Sequence, residues 1–299
     1  MPERPSIDVY VERLNALVGG QRLERVQRQG PALLQTVTPA LGEFVGRRFV
    51  GAERLNKRVI LGFEGDMFLV IHLMILGRLH YAARADAPLH KTQGLLALGF
   101  QTGTVFLNEY GKKRRATLHA VVGRQGLEPF DRGGVEVTRG GLGAFTAALQ
   151  RERRTLKRAL SDPRLISGIG NAWSDEILHE ARLSPSTLTT SLDAEELARL
   201  HGVACANLER WTDLLRAEVG DGFPDHVTAF HPAMRVHGRY QKPCPECGTS
   251  IQRIRFADNE SNYCPRCQTD GKLLSDRSLA RLLHADWPKT IDELEGRGR

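Results

Sequence analysis

The first 122 residues carry short apolar runs separated by polar turns. Arg58 to Phe63, Met67 to Leu76, Thr104 to Leu107 and Thr117 to Val122 are too short for ordinary helices, partly β-branched and bounded by glycine-containing turns. They predict the strands of a β-rich domain, with Glu64-Gly65-Asp66 as a hairpin turn between the first two. Beyond residue 125 the pattern changes. Gly143 to Leu160, Asn171 to Ala181, Ala194 to Ala217 and Pro224 to Ala229 have helical spacing or helix-forming composition. The glycine-rich stretch Val122 to Gly134 predicts a linker between the halves. The expected class is therefore α+β. Its expected parts are a β domain over 1–123, a linker over 124–142, a helical domain over 143–240, a four-cysteine module over 241–270 and an extension over 271–299. In the extension, Leu273, Leu274, Leu279, Leu282 and Leu283 form a candidate docking helix. The chain has no internal repeat.

A length of 299 residues suffices for about two domains with real cores, and 41% hydrophobic with 26% charged residues is an ordinary globular balance. The longest apolar run, Met67 to Leu76, is too short to span a bilayer and contains His72. The opening MPERPSIDVY lacks the apolar centre of an export signal, so a cytoplasmic protein without a membrane partner is expected. Lys plus Arg outnumber Asp plus Glu by 42 to 35, a net charge of +7 that favours a polyanionic partner. Two clusters concentrate this charge: Lys112-Lys113-Arg114-Arg115 in an interstrand loop, and Arg151, Arg153, Arg154, Lys157 and Arg158 along a helix. Each reads as a solvated face or as a phosphate contact.

Four of the five cysteines, Cys244, Cys247, Cys264 and Cys267, form two CxxC knuckles with sixteen residues between them. This is tetrathiolate zinc spacing: each knuckle presents two sulfurs, and the intervening segment is long enough for a hairpin. Two disulfides are the competing reading, disfavoured in a reducing compartment. A site closed by four sulfurs has no open coordination position, so one structural Zn2+ is expected. Cys205 reads as a small buried apolar residue.

Ser167-Gly168-Ile169-Gly170-Asn171 precedes the helical stretch AWSDEILHEARL. Two glycines permit a sharp turn whose amides can approach a phosphate, and the helix adds its positive N-terminal end. Asn171 can cap that helix or hold the phosphate itself. A plain helix–turn–helix joint is the alternative.

Taken in order, Met1-Pro2-Glu3, Lys57, the His72-Leu73 to Gly77 stretch, Gly168-Ile169-Gly170-Asn171 with SDEILHEARLSP, and Val236-His237-Gly238-Arg239 leading into the four cysteines resemble a known family. It is the formamidopyrimidine-DNA glycosylase and endonuclease VIII family of base-excision repair. The resemblance implies an N-terminal two-layer β-sandwich, a helix-two-turn-helix domain and a C-terminal zinc-finger β-hairpin, with damaged DNA held between domains by a monomer near the nucleoid.

It also implies chemistry. Removal of Met1 would leave Pro2 as a free secondary amine, a nucleophile partly neutral near pH 7, that attacks the sugar C1′ and expels the base. Glu3 would serve as general acid and base. Taken by itself, Pro2-Glu3 would read as a disordered tail. Lys57 matches the lysine that contacts phosphate and assists strand cleavage, Gly170 and Asn171 match the phosphate-holding turn, and Lys157 lies at a family-like position near DNA. His72 reads equally as a DNA contact or a core histidine.

Departures from the family pattern fall at lesion-recognition positions. Ser6 replaces a second glutamate, and Ile75 stands where a Met wedge follows His-Leu-Gly. Lys113 and Arg114 stand at the Arg and Phe of an intercalating loop, and Asn259 at the hairpin arginine that grips phosphate. The favoured reading is a bifunctional DNA glycosylase and abasic-site lyase with altered lesion specificity, cutting by β-elimination with or without a δ step. A noncatalytic binder of damaged or branched DNA and a zinc-ribbon RNA binder are the alternatives.

Overall fold

The computed structural model describes residues 2–111, 113–225, 227, 230–256, 259–275 and 288–296, with backbone alone at Phe256 and Asn259. The chain divides into two units: Met1–Arg132 with Glu209–Thr228, and Gly133–Leu208 with Ala229–Arg299.

The first unit opens on a helix that the strand pattern does not announce, α1 (Arg4–Val18). Pro5 is compatible with its first turn, where no intrahelical N–H partner exists, and Ile7, Tyr10, Leu14 and Val18 form a buried stripe at helical spacing. Eight strands follow: β1 (Leu23–Arg28), β2 (Phe49–Leu55), β3 (Arg58–Phe63), β4 (Met67–His72), β5 (Gly77–Ala82), β6 (Gly94–Phe100), β7 (Thr104–Glu109) and β8 (Thr117–Val122). They form two four-stranded antiparallel sheets, ordered β1-β6-β7-β5 and β2-β3-β4-β8. The expected Glu64-Gly65-Asp66 hairpin is present, with Phe63 opposite Met67 and Gly65 at φ 82°.

Alternation along the strands divides the second sheet into two faces. Val59, Leu61, Phe63, Leu69, Ile71, Leu118 and Ala120 enter the main core with the α1 stripe. Ile60, Phe68 and Val70 point to the other face, where Leu127 and Phe130 cover them. Those two residues belong to the short 3-10 segment Arg124–Phe130, so much of the stretch expected as a linker is instead packed against the sheet.

The second unit contains α2 (Val137–Gln150), α3 (Leu156–Ser161), α4 (Asn171–Glu180) and the first part of α5 (Ala194–Val219). The single helix expected over Gly143 to Leu160 is two helices, and the first starts at Val137 with non-helical Gly141 inside it. The break lies at 151–155, so the second basic cluster spans a turn rather than one helix face. The helix expected over Pro224 to Ala229 is absent at the described residues Pro224, Asp225 and Val227. Side chains from β5 hold the segment instead: Arg78 donates to Val227 O and His80 lies 3.0 Å from Asp225 Oδ1. The hairpin β9 (Gln252–Phe256) and β10 (Asn259–Tyr263) leads into α6 (Pro265–Thr269).

In the extension, Leu279, Leu282 and Leu283 lie outside the described residues. Docking there uses α7 (Ile291–Gly296): Ile291 is fully buried, Leu273 N–H donates to Lys289 O, and Arg266 pairs with Asp292. Among the described residues no helix is long and apolar enough to cross a membrane.

Candidate DNA-processing site and zinc centre

Pro2 and Glu3 are buried, and Glu3 O accepts the N–H of Ile7. The start of the chain is thus the anchored head of α1 and not a tail. A chain of polar contacts ties this head to the turn that carries Lys57. Asp8 accepts from Arg4 at 3.2 Å and from Arg54 at 2.6 Å, and Arg54 also donates to Asn56 O at 3.1 Å. Asn56 takes the left-handed conformation that turns the chain from β2 into β3, and Lys57 follows it, also buried.

His72 lies opposite Arg58 in the β3–β4 register, beside that same turn. Burial pushes its pKa down to about 4, with Arg58, Lys57, His119 and Arg132 adding repulsion, so the ring is neutral at physiological pH. It is therefore an uncharged imidazole among cations, able to donate or accept a hydrogen bond.

Two loops connect the two sheets. The β4–β5 turn exposes Ile75, and Met74 before it takes φ 53°. The β7–β8 loop carries Lys113, Arg114 and Arg115, all exposed; Lys112 lies outside the described residues. The Glu109 carboxylate accepts from the backbone N–H groups of Arg115 and Ala116 at 2.9 and 3.2 Å, fixing the loop base, and Arg114 donates to Thr92 O at 2.6 Å.

In the second unit Gly168 adopts φ 79° and Gly170 is the N-cap of α4. Asn171 is the first helical residue, so it does not take the capping role open to it from sequence. Behind this turn lies Asp175, whose side chain is fully buried. Lys157 reaches it at 2.6 Å and also donates to Asn171 O at 2.5 Å. His237 Nδ1 meets the other carboxylate oxygen at 2.8 Å, and Ser261 Oγ donates at 3.1 Å. Burial opposes the Asp175 charge, but Lys157 and His237 overcome that cost and hold its pKa below the ordinary value. Glu176 beside it accepts N–H bonds from Arg235, Val236 and His237. Two adjacent acids thus fasten the Val-His-Gly-Arg segment, and one of them also holds the zinc hairpin and, through Lys157, the N-terminus of α4. Sequence reading gives Lys157 as a DNA contact; in the fold its ammonium is paired inside the unit. The backbone of Asn259 opens β10, and its side chain lies outside the described residues.

The Sγ atoms of Cys244, Cys247, Cys264 and Cys267 lie within 4.8 Å of one another. Burial pushes the Cys264 thiol up and the Cys267 thiol up to about 12, while at Cys247 burial is outweighed by hydrogen bonds from Thr249 and the thiol falls to about 7. Four convergent soft donors fit one tetrahedral Zn2+, which supplies structure. His179 from α4, buried, places Nε2 3.3 Å from Cys244 Sγ, an orienting contact from outside the sulfur set.

Comparison with known proteins covers both units. Residues 1–115 match the formamidopyrimidine-DNA glycosylase N-terminal domain, 137–214 its H2TH domain, and 241–269 the zinc finger found in FPG and IleRS. The formamidopyrimidine-DNA glycosylase of Thermus thermophilus is 32% identical over 285 residues, covering 91% of this chain and 100% of the relative. The chain belongs to the formamidopyrimidine-DNA glycosylase family. With that family it belongs to the DNA glycosylases of base-excision repair, and its zinc finger holds one structural zinc ion. A formamidopyrimidine-DNA glycosylase-like protein of Mycobacterium tuberculosis is 41% identical over 128 residues, covering 43% of this chain and 79% of that one. The Thermus thermophilus Fpg crystal structure superposes with a TM-score of 0.74 at 28% identity, over 89% of this chain and 98% of the other. A Lactococcus lactis Fpg complex with abasic-site DNA gives 0.79 at 24% identity, over 89% and 99%, a likeness of fold.

Met74 in the β4–β5 turn holds a left-handed conformation that costs a non-glycine residue about 1 kcal/mol. Sequence reading missed Asp175, Glu176 and His179, which sit in a helix read only for its N-terminal end. It also missed Tyr110, His80 and Asp225, which are far apart in the chain and meet only in the fold.

Proposed function

We propose that this chain is a bifunctional DNA glycosylase and abasic-site lyase acting as a monomer on damaged DNA. Removal of Met1 frees the Pro2 amine. Its lone pair forms a bond to C1′ as the bond to the damaged base breaks, and the amine proton passes to the departing base; opening of the sugar ring, with a proton from Glu3 to O4′, then gives an iminium linkage. The Glu3 carboxylate so formed takes up a C2′ proton, and the 3′-phosphate leaves with its C–O bonding pair by β-elimination. Lys57 and Asn171 hold phosphates, with His72 a neutral hydrogen-bonding neighbour. The observation that carries this reading is the anchored, buried Pro2-Glu3 pair, tied through Asp8 and Arg54 to the turn before Lys57.

Lesion specificity differs from that of the formamidopyrimidine branch. Ile75 is shorter and stiffer than Met, and Lys113 lacks the planar fork that reads a cytosine through two hydrogen bonds. The enzyme discriminates the opposite base weakly and excises 8-oxoguanine paired with cytosine poorly. It prefers abasic sites, ring-opened or bulky adducts and lesions already unstacked. Rates on one lesion in duplex, bubble and single strand, with each opposite base, test this; strong preference for 8-oxoguanine opposite cytosine contradicts it. An uncleaved N-terminal tag should abolish cutting, and a tagged protein that cuts as fast as the processed one removes Pro2 from the mechanism.

A further inference from the structure

The exposed apolar side chains of the sandwich unit include three that stand together. Ile75 is 48% exposed, Leu76 41% and Tyr110 50%. The β4–β5 turn and the β7–β8 loop that carry them are joined, because Tyr110 N–H donates to Leu76 O at 3.3 Å and Gly111 packs against the Leu76 side chain. Apolar side chains that stand together on the surface, rather than singly, form a candidate contact site.

The tyrosine is held from behind. Its hydroxyl lies 2.9 Å from His80 Nε2, and His80 Nδ1 lies 3.0 Å from Asp225 Oδ1. With Nδ1–H donating to the carboxylate, Nε2 accepts the phenol proton, so a carboxylate, an imidazole and a phenol are joined in series. The His80 and Tyr110 rings meet edge to face at 5.9 Å. Arg78 fixes the platform beneath by donating to the carbonyls of Ile75, Gly77 and Val227 at 3.0, 2.7 and 2.5 Å. One side of the ring is thus tethered while half of it stays open to solvent. Lys113, Arg114 and Arg115, three exposed cations, lie further along the same loop, so the charge it carries suits a polyanion. Arg114, the residue at the aromatic position of the intercalating loop, is engaged with Thr92 O.

We propose that Tyr110, positioned by His80 and Asp225 and flanked by Ile75, fills the base stack of duplex DNA when a nucleotide is extruded, stacking on the orphaned partner base. Extrusion leaves a gap whose cost an inserted ring offsets, and a tethered ring loses little freedom on insertion. Every base offers a π-face, so a tyrosine supports the orphan without reading its identity, which fits weak opposite-base discrimination. The inference rests on the reading of the chain as a base-extruding glycosylase.

The test uses the full zinc-loaded chain and a duplex carrying the unreactive abasic analogue tetrahydrofuran opposite 2-aminopurine, with the tetrahydrofuran strand alone as control. Wild-type protein should quench 2-aminopurine on binding. Tyr110→Ala should leave it bright and bind the duplex roughly tenfold more weakly, with single-strand affinity within about twofold of wild type. Tyr110→Phe should keep the quench. If the alanine variant misfolds, Tyr110→Leu retains bulk without a π-face and should also leave the probe bright. Equal quenching and an equal duplex-to-single-strand affinity ratio in a folded Tyr110→Ala or Tyr110→Leu overturn the assignment. Wild-type protein that quenches the probe but is never trapped by borohydride on abasic DNA upholds Tyr110 while removing the iminium reading.

Discussion

Asp175 shows how one buried residue can serve several elements. Its carboxylate, without solvent exposure, receives Lys157 from α3, His237 from the segment before the zinc finger and Ser261 from β10. Its value lies in completeness, because removing one member of a buried charge set strands the others. Asp175→Ala should cost about 3–5 kcal/mol in denaturant unfolding and also loosen the Asn171 turn that Lys157 supports. The double variant Asp175→Leu with Lys157→Met should recover much of that loss, since matched apolar replacement of a buried pair is often nearly neutral. A single variant as stable as wild type would show that Asp175 is not the hub.

At the scale of elements, the zinc hairpin is the part whose stability depends on a ligand. A short hairpin with few apolar side chains buries too little to fold alone, so metal binding and folding are coupled there. Cys264→Ser should lower zinc content well below one per chain and weaken DNA binding; full occupancy with normal binding would contradict the assignment. His179→Phe should keep the metal but release it faster to a chelator, because the contact to Cys244 is lost while the four sulfurs remain. Equal release rates would leave His179 a packing residue.

The zinc module was legible in sequence because CxxC spacing is a local signal. So was the β3–β4 hairpin, where the turn residues and alternation agree. Helix α1 was not, since its stripe at Ile7, Tyr10, Leu14 and Val18 competed with the more conspicuous Pro-Glu opening. The 3-10 segment Arg124–Phe130 was hidden behind its own glycine and proline, and its role appears only when Leu127 and Phe130 meet the outer face of the sheet. The Tyr110–His80–Asp225 series joins residues from β5, from the loop after β7 and from beyond α5, a coincidence no local pattern encodes.

For the whole molecule, the question is how a net charge of +7 is deployed. Many arginines are engaged with carboxylates or backbone carbonyls, as at Arg22, Arg25, Arg47, Arg54 and Arg78. Phosphate contact therefore falls to a smaller set than the total suggests. Lys57→Gln should weaken binding across DNA sequences and lower the slope of log affinity against log salt by about one. Asn171→Ala should weaken binding as uniformly with little change in slope, because a neutral amide releases no counterion. An effect confined to one lesion would count against either residue as a phosphate contact. The decisive measurement is borohydride trapping of the processed chain on an abasic-site duplex, followed by peptide mass analysis. A stable covalent adduct is expected on the N-terminal peptide at Pro2, absent from a protein with a blocked amine. No adduct, or an adduct on a lysine such as Lys57, would contradict it.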